Sequence, residues 1–153
     1  MTANRGKSTL YKASTLVEEV LREVGLDPER DRIDPVEDGF ASWLFYSNFS
    51  AVYIDLYTHN EWNYISVMAP LFAVPERETH RLYEKLCELN HALFGCAYSL
   101  FDNSVFVGYR REIENLHKAE LQNTLKRITF YADEALQTVA KEFNCLPHET
   151  PHA

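Results

Sequence analysis

The chain has 153 residues, 46% of them hydrophobic, which suits one domain with a single sizeable core. Its formal net charge of −8 argues against a nucleic-acid backbone or an anionic membrane as the main partner. No apolar run is long enough to span a bilayer, and Met1–Lys12 lacks the apolar centre of a signal peptide.

A first helix is expected from about Ser8 to Val24, with Leu10, Ala13, Val17, Val20, Leu21 and Val24 on one side. Ser8 offers a cap, Thr15-x-x-Glu18 matches a capping box, and Gly25 ends the helix. The residues before Ser8 read as a frayed terminus. Asp27–Gly39 is a charged linker with Pro28 and Pro35. Three strands follow, near Ser42–Ser47, Ala51–Tyr57 and Asn63–Ala69, rich in aromatic and β-branched residues. Their alternation predicts one aliphatic face (Val52, Ile54, Leu56, Ile65, Val67). The other face is rich in tyrosine (Tyr53, Tyr57, Tyr64, with Met68).

Pro70 and Pro75 bracket an extended link, and a second helix starts just after Pro75. Leu82, Leu86, Leu89 and Leu93 line its core side, and Gly95 stops it. A hairpin then turns at Asp102-Asn103, which sets Tyr98 opposite Val107 and Leu100 opposite Val105. The third helix runs from about His117 to Phe143, with Leu121, Leu125, Ile128, Ala132, Ala135 and Val139 as its stripe. The order helix, three strands, helix, two strands, helix predicts an antiparallel sheet packed with three helices, an α+β domain. Its ordered core would span about residues 8–145, and a disordered tail residues 146–153.

From Ala69-Pro70 through Ala135 the chain resembles the YbjN-type family, whose fold is that of the type III secretion chaperones. The likeness is carried by the Val74-Pro75 entry to the second helix, the Leu89-Asn90 pair, the hydrophobic–aromatic hairpin, and the long helix after Glu112–His117. Members of that fold are small, acidic, usually homodimeric proteins without catalytic residues. The resemblance implies a dimerising protein-interaction domain. It does not imply a secretion system, because the fold occurs well beyond those systems.

The residues carry little readable chemistry. Gly6-Lys7-Ser8 looks like the tail of a phosphate-binding loop, but Met1 stands where the first glycine belongs and no strand precedes it. His80, Glu84, Cys87 and His91 share one side of the second helix and are all ligand types for zinc. Side chains more than two turns apart on one straight helix diverge from a common point, so a solvated or interfacial face is the reading, with no metal or other cofactor. Asp55, His59 and Glu61 sit near a turn, where polar residues are expected without catalysis. Cys96 reads as a buried strand residue. With Cys87 and Cys145 it makes an odd count without a C-x-x-C pair, as in a cytoplasmic protein with reduced thiols. Phe130, opposite the stripe of the third helix, reads as an isolated exposed aromatic.

Two aromatic features remain. Tyr53, Tyr57, Tyr64 and Met68, with Trp43 as an adjunct, suit recognition of a polypeptide partner unless the second helix covers them. Tyr83, Cys87, Asn90 and Phe94 form a semi-apolar flank of the second helix, where Tyr83, Cys87 and Phe94 are expected to meet a second copy. The expectation is a non-enzymatic, homodimeric, cytoplasmic domain that holds another protein, with no nucleic acid and no membrane as partner. The alternative is a regulatory domain with a small ligand or metal on the His80/Glu84 side.

Overall fold

The computed structural model describes residues 2–148. Six strands form one antiparallel sheet in the order β1-β2-β3-β4-β6-β5. They are β1 (Arg32–Ile33), β2 (Gly39–Tyr46), β3 (Ala51–His59), β4 (Trp62–Ala73), β5 (Ala97–Phe101) and β6 (Ser104–Glu112). The helices are α1 (Thr2–Glu23), α2 (Thr79–Ala92), α3 (Lys118–Gln137) and the short α4 (Val139–Glu142). This is the expected α+β architecture with two additions. A two-residue strand forms in the charged linker, and the third helix breaks at Thr138.

Period-two alternation decides the layering. Val52, Ile54 and Leu56 of β3, Ile65, Val67 and Ala69 of β4, and Val105 and Val107 of β6 are fully buried. They share one core with Val17, Val20 and Leu21 of α1, Leu82 and Leu86 of α2, and Leu121, Leu125 and Ile128 of α3. The helices therefore lie on one side of the sheet, α1 and α3 on the central strands and α2 on β5. Each fully buried aliphatic side chain contributes about 1.5–3 kcal/mol.

Turn chemistry fixes the register. Asn60 and Glu61, and again Asp102 and Asn103, all have positive φ, as a two-residue hairpin loop of the favoured hand requires. Tyr98 pairs with Val107 and Leu100 with Val105, as the hairpin turn predicts. Gly25 (φ 83) ends α1. The Leu26 N–H then donates to the Leu21 carbonyl at 2.9 Å, the six-to-one bond of a Schellman motif.

Several boundaries differ from expectation. The first helix starts at Thr2, six residues before Ser8, so neither Ser8 nor Thr15 is a cap. Thr15 Oγ1 instead donates back to the Tyr11 carbonyl at 3.1 Å. β4 runs through Pro70 to Ala73, because a register shift between Pro70 and Phe72 absorbs the missing donor. α2 starts at Thr79, after Glu78 in a left-handed conformation, rather than just after Pro75. Pro147 bridges to Phe72, and the His148 N–H donates to the Leu71 carbonyl at 2.9 Å. The start of the tail expected to be disordered is thus tied to β4. The rest of that tail, residues 149–153, lies outside the described residues.

Candidate functional site

The second face of the sheet is open. Along β3, Tyr53, Asp55 and Tyr57 alternate with the buried aliphatic residues and are half-buried. On β4, Tyr64 and Met68 are half-buried and Ser66 is buried between them. None of Tyr53, Tyr57, Tyr64 and Met68 belongs to the hydrophobic core, and α2 packs on the opposite side of the sheet from them.

Register brings the four together. Tyr53 pairs with Met68, Asp55 with Ser66, and Tyr57 with Tyr64. The Tyr57 and Tyr64 rings stack with centroids 5.7 Å apart and planes 22° apart. Met68 reaches across to β6 and lies over Gly108, its register partner. A Cβ on Gly108 would meet the Met68 sulfur at 2.0 Å, so the missing side chain is what lets the thioether lie flat there. Beyond Met68 the face continues through Pro70 and Phe106, which pair, to Phe101 on β5.

Polar chemistry stands in the middle of this surface. Ser42 of β2 pairs with Asp55, and its Oγ donates to Asp55 Oδ1 at 2.5 Å. Burial pushes the Asp55 carboxyl above its ordinary value, and the Ser42 bond offsets only part of that. Burial also raises the Tyr57 hydroxyl, with Arg110 opposing it. Trp43 is not part of this face. It pairs with Ile54, points into the core at 0% exposure, and has the Arg32 guanidinium 5.6 Å from its ring. The signal was in the hairpin: counting back from the turn at Ser47–Ser50 places Phe45 beside Val52 and Trp43 beside Ile54.

A second apolar surface lies on the flank of α2. Tyr83 and Cys87, one turn apart, are exposed, and Phe94 is 75% exposed in the segment after the helix ends. The hairpin presents further exposed apolar side chains, Leu100 at 46% and Phe101 at 72%. Asn90, grouped with this flank from the sequence, has another task. Its Nδ2 donates to the Tyr98 carbonyl at 3.1 Å, and its Oδ1 accepts from the Tyr98 N–H at 2.7 Å. One side-chain amide thus imitates a strand residue, fixes α2 to β5, and occupies the centre of that edge strand.

The remaining candidates stay apart. His80 pairs with Glu84 at 3.1 Å, and both are exposed. Among the described residues, no group of three or more His, Cys, Asp and Glu side chains is placed to hold one metal ion. His59 lies four residues from Asp55 on the same strand, about 13 Å away, and its Nε2 meets Asn60 instead. Gly6-Lys7-Ser8 lies inside α1. Cys96 is half-buried; burial raises its thiol, with Arg127 opposing. Phe130 is exposed and makes an edge contact with Tyr131. Sequence reasoning did not single out a cavity of about 600 Å³ between α1, the β3–β4 turn and the loop after β6, lined by Lys12, Trp62, Asn63 and Ile113 among others. Among the described residues, no helix is long and apolar enough to cross a membrane.

Comparison with known proteins assigns a family to this arrangement. No curated protein matches the chain. Among solved structures, the complex of ExsC with ExsE aligns at a TM-score of 0.61 and 14% identity, over 84% of this chain and 93% of that one. The HopA1–SchA chaperone–effector complex aligns at 0.60 and 13% identity, over 86% and 98%. YbjN from E. coli, described as a putative transcription regulator, aligns at 0.52 and 12% identity, over 86% and 94%. At these identities the likeness is one of fold. A family model described as T3SS (YopN, CesT) and YbjN peptide-binding chaperone 1 matches residues 12–147. With nearly its whole described length matched, the chain belongs to this family of peptide-binding chaperones.

Proposed function

We propose that this protein is a non-enzymatic, cytoplasmic chaperone-like domain that holds a polypeptide partner on the open face of its sheet and pairs with a second copy through the flank of α2. The observation that carries the reading is the open face itself. Tyr53, Tyr57, Tyr64 and Met68 are brought into one patch by the β3–β4 register, and among the described residues no helix covers them. Rigid aromatics beside one adaptable thioether suit a polypeptide surface better than they suit bond-making chemistry. Family membership and the chaperone–effector complex of the same fold agree with this use. For self-association, the support is the exposed stretch of Tyr83, Cys87 and Phe94, which contributes nothing to the core of a single chain.

The test selects peptides from a random display library on the purified protein and measures their affinity for the Tyr57→Ala, Tyr64→Ala double variant. A loss of about tenfold or more, with the melting temperature within a few degrees of wild type, is the expected result. Unchanged affinity would move the binding surface elsewhere. For the dimer, light scattering at tens of micromolar should give twice the chain mass. Phe94→Glu should give the monomer mass with the same melting profile at matched dilution.

A further inference from the structure

The four apolar side chains of the open face are not a uniform patch. They frame a carboxylate. Tyr53 and Tyr57 stand two residues to either side of Asp55 on β3 and point the same way. Across the strand pair, Met68 and Tyr64 stand two residues to either side of Ser66, the partner of Asp55. Asp55 and Ser66 are therefore the floor, and the three tyrosine rings and the thioether are the rim.

The floor is set up for a positive charge. Ser42 Oγ holds Asp55 Oδ1 at 2.5 Å and so orients the carboxylate. Among the described residues, no Lys, Arg or His forms an ion pair with it. Arg110, the cation next in that row, lies on the far side of Ser66, is exposed, and acts on Tyr57. Glu112 follows Tyr64 in the neighbouring row and adds a second negative charge at the rim. A half-buried carboxylate without a counter-ion is costly to the free protein, and a cation seated on it restores what desolvation removed. Tyr57 and Tyr64 stack on each other beside this point, and a tyrosine ring attracts a cation that lies over its face. The chain's net charge of −8 draws a basic segment from a distance.

We propose that this face recognises a basic side chain of the bound polypeptide. A Lys or Arg of the partner is seated on Asp55 between Tyr53, Tyr57 and Tyr64, and apolar neighbours of that residue lie on Met68 and toward Phe106. This rests on the reading that the open face holds a polypeptide, and it adds what that polypeptide must carry. The partner is an apolar segment with one indispensable cation, rather than an acidic or a wholly apolar one.

The experiment uses the library-selected peptides. Each is synthesised in its selected form and with its basic residue replaced by Met, and both are titrated against wild type, Asp55→Asn and the Tyr57→Ala, Tyr64→Ala variant. The expected result is enrichment of Lys or Arg at one position. Asp55→Asn should weaken the basic peptide about tenfold and leave the Met form unchanged, so that the two effects are coupled in a double-mutant cycle. Asp55→Asn keeps the shape of the side chain, and its melting curve shows independently that it folds. Peptides that need the tyrosine pair but show no basic position, or bind Asp55→Asn as well as wild type, overturn the cation site and leave the docking face standing. Peptides indifferent to the tyrosine pair, or no selected peptide at all, overturn the docking face and the cation site with it. A dimer that dissociates in the tyrosine variant would place a second copy of the chain on this face and also overturn the proposal.

Discussion

The two faces of this sheet are made from the same strands and differ by one residue of phase. Ile54 is fully buried; Tyr53 and Asp55, its neighbours, are half-buried on the other side. The inner face is closed by three helices and has the composition of a core. The outer face offers rings, a thioether and a carboxylate, and among the described residues no element lies over it. A sheet with one covered face normally alternates hydrophobic with polar. Here the alternation is aliphatic with aromatic, and the aromatic face is the one proposed above to hold the partner.

Stability measurements break or sharpen that contrast most directly. Ile54→Ala should cost about 2–5 kcal/mol in urea denaturation, the usual range for emptying a closed core site. Tyr53→Ala, one residue away, should cost about 1 kcal/mol or less, because the free protein leaves that side half-open. Equal costs would mean that the outer face is also core in solution, and the binding proposals would lose their ground.

Carboxylates sharpen the contrast next, because the two sides treat them oppositely. At the end of the inner side, Arg111 Nη1 reaches both carboxylate oxygens of Glu120 at 2.6 Å, and the Tyr109 hydroxyl donates to Oε1 at 2.6 Å. Burial acts to raise Glu120, but these bonds outweigh it and leave its pKa lowered. Tyr109 is pushed up to about 12, by burial first and by Glu120 second. A lowered folded pKa means that the native state binds fewer protons than the unfolded chain. Glu120 therefore stabilises above its ordinary value of 4.5, and the gain is lost as pH falls through the lowered value. Glu120→Gln should cost about 1 kcal/mol at neutral pH, with the difference from wild type fading in acid.

Asp55, raised by burial, has the reverse sign. Its charged form is a penalty that is absent below the ordinary value of 3.8 and grows as pH rises through the raised one. Asp55→Asn should therefore melt higher than wild type at neutral pH and equal to it in acid. Denaturation of both variants across pH checks the pair. Parallel profiles for the two would erase the distinction between a paired inner carboxylate and an unpaired outer one.

Phase was legible in the sequence wherever a turn fixed it. The Asp102-Asn103 loop allowed only one register for the hairpin, and Val52-Tyr53-Ile54 displayed its own alternation. Trp43 was misassigned because its strand was read alone, without counting back from the Ser47–Ser50 turn to Ile54. The early start of α1 left no periodic trace, since Thr2–Ser8 holds almost no apolar residue. Part of what holds it is tertiary: Asn63 Nδ2 donates to the Gly6 carbonyl at 3.2 Å. The break at Thr138 was invisible because the apolar stripe continues across it into Val139. The Asp55 floor was equally hidden. A lone Asp among tyrosines reads as a solvated residue until the β2–β3 register brings Ser42 against it.

The smallest expected effect on stability tests the outer face without touching any of its contact groups. Gly108→Ala adds one methyl group where Met68 now lies. Most of the clash is with the thioether, at 2.0 Å to the sulfur and 2.7 Å to the terminal methyl, and only the Val67 carbonyl, at 3.3 Å, is backbone. Met is unbranched and turns aside at little cost, while alanine suits a strand slightly better than glycine does. The net change in unfolding free energy should stay within about 0.5 kcal/mol. The surface nevertheless changes, because Met68 must lift from the sheet beside Tyr53. Affinity for a peptide held on this face should shift severalfold while the urea midpoint stays put. If neither moves, Met68 is already mobile above Gly108 and forms no fixed part of the rim. If the midpoint falls by as much as it does for Ile54→Ala, the side of the sheet that Met68 occupies is packed in the free protein, and the distinction between the two faces fails.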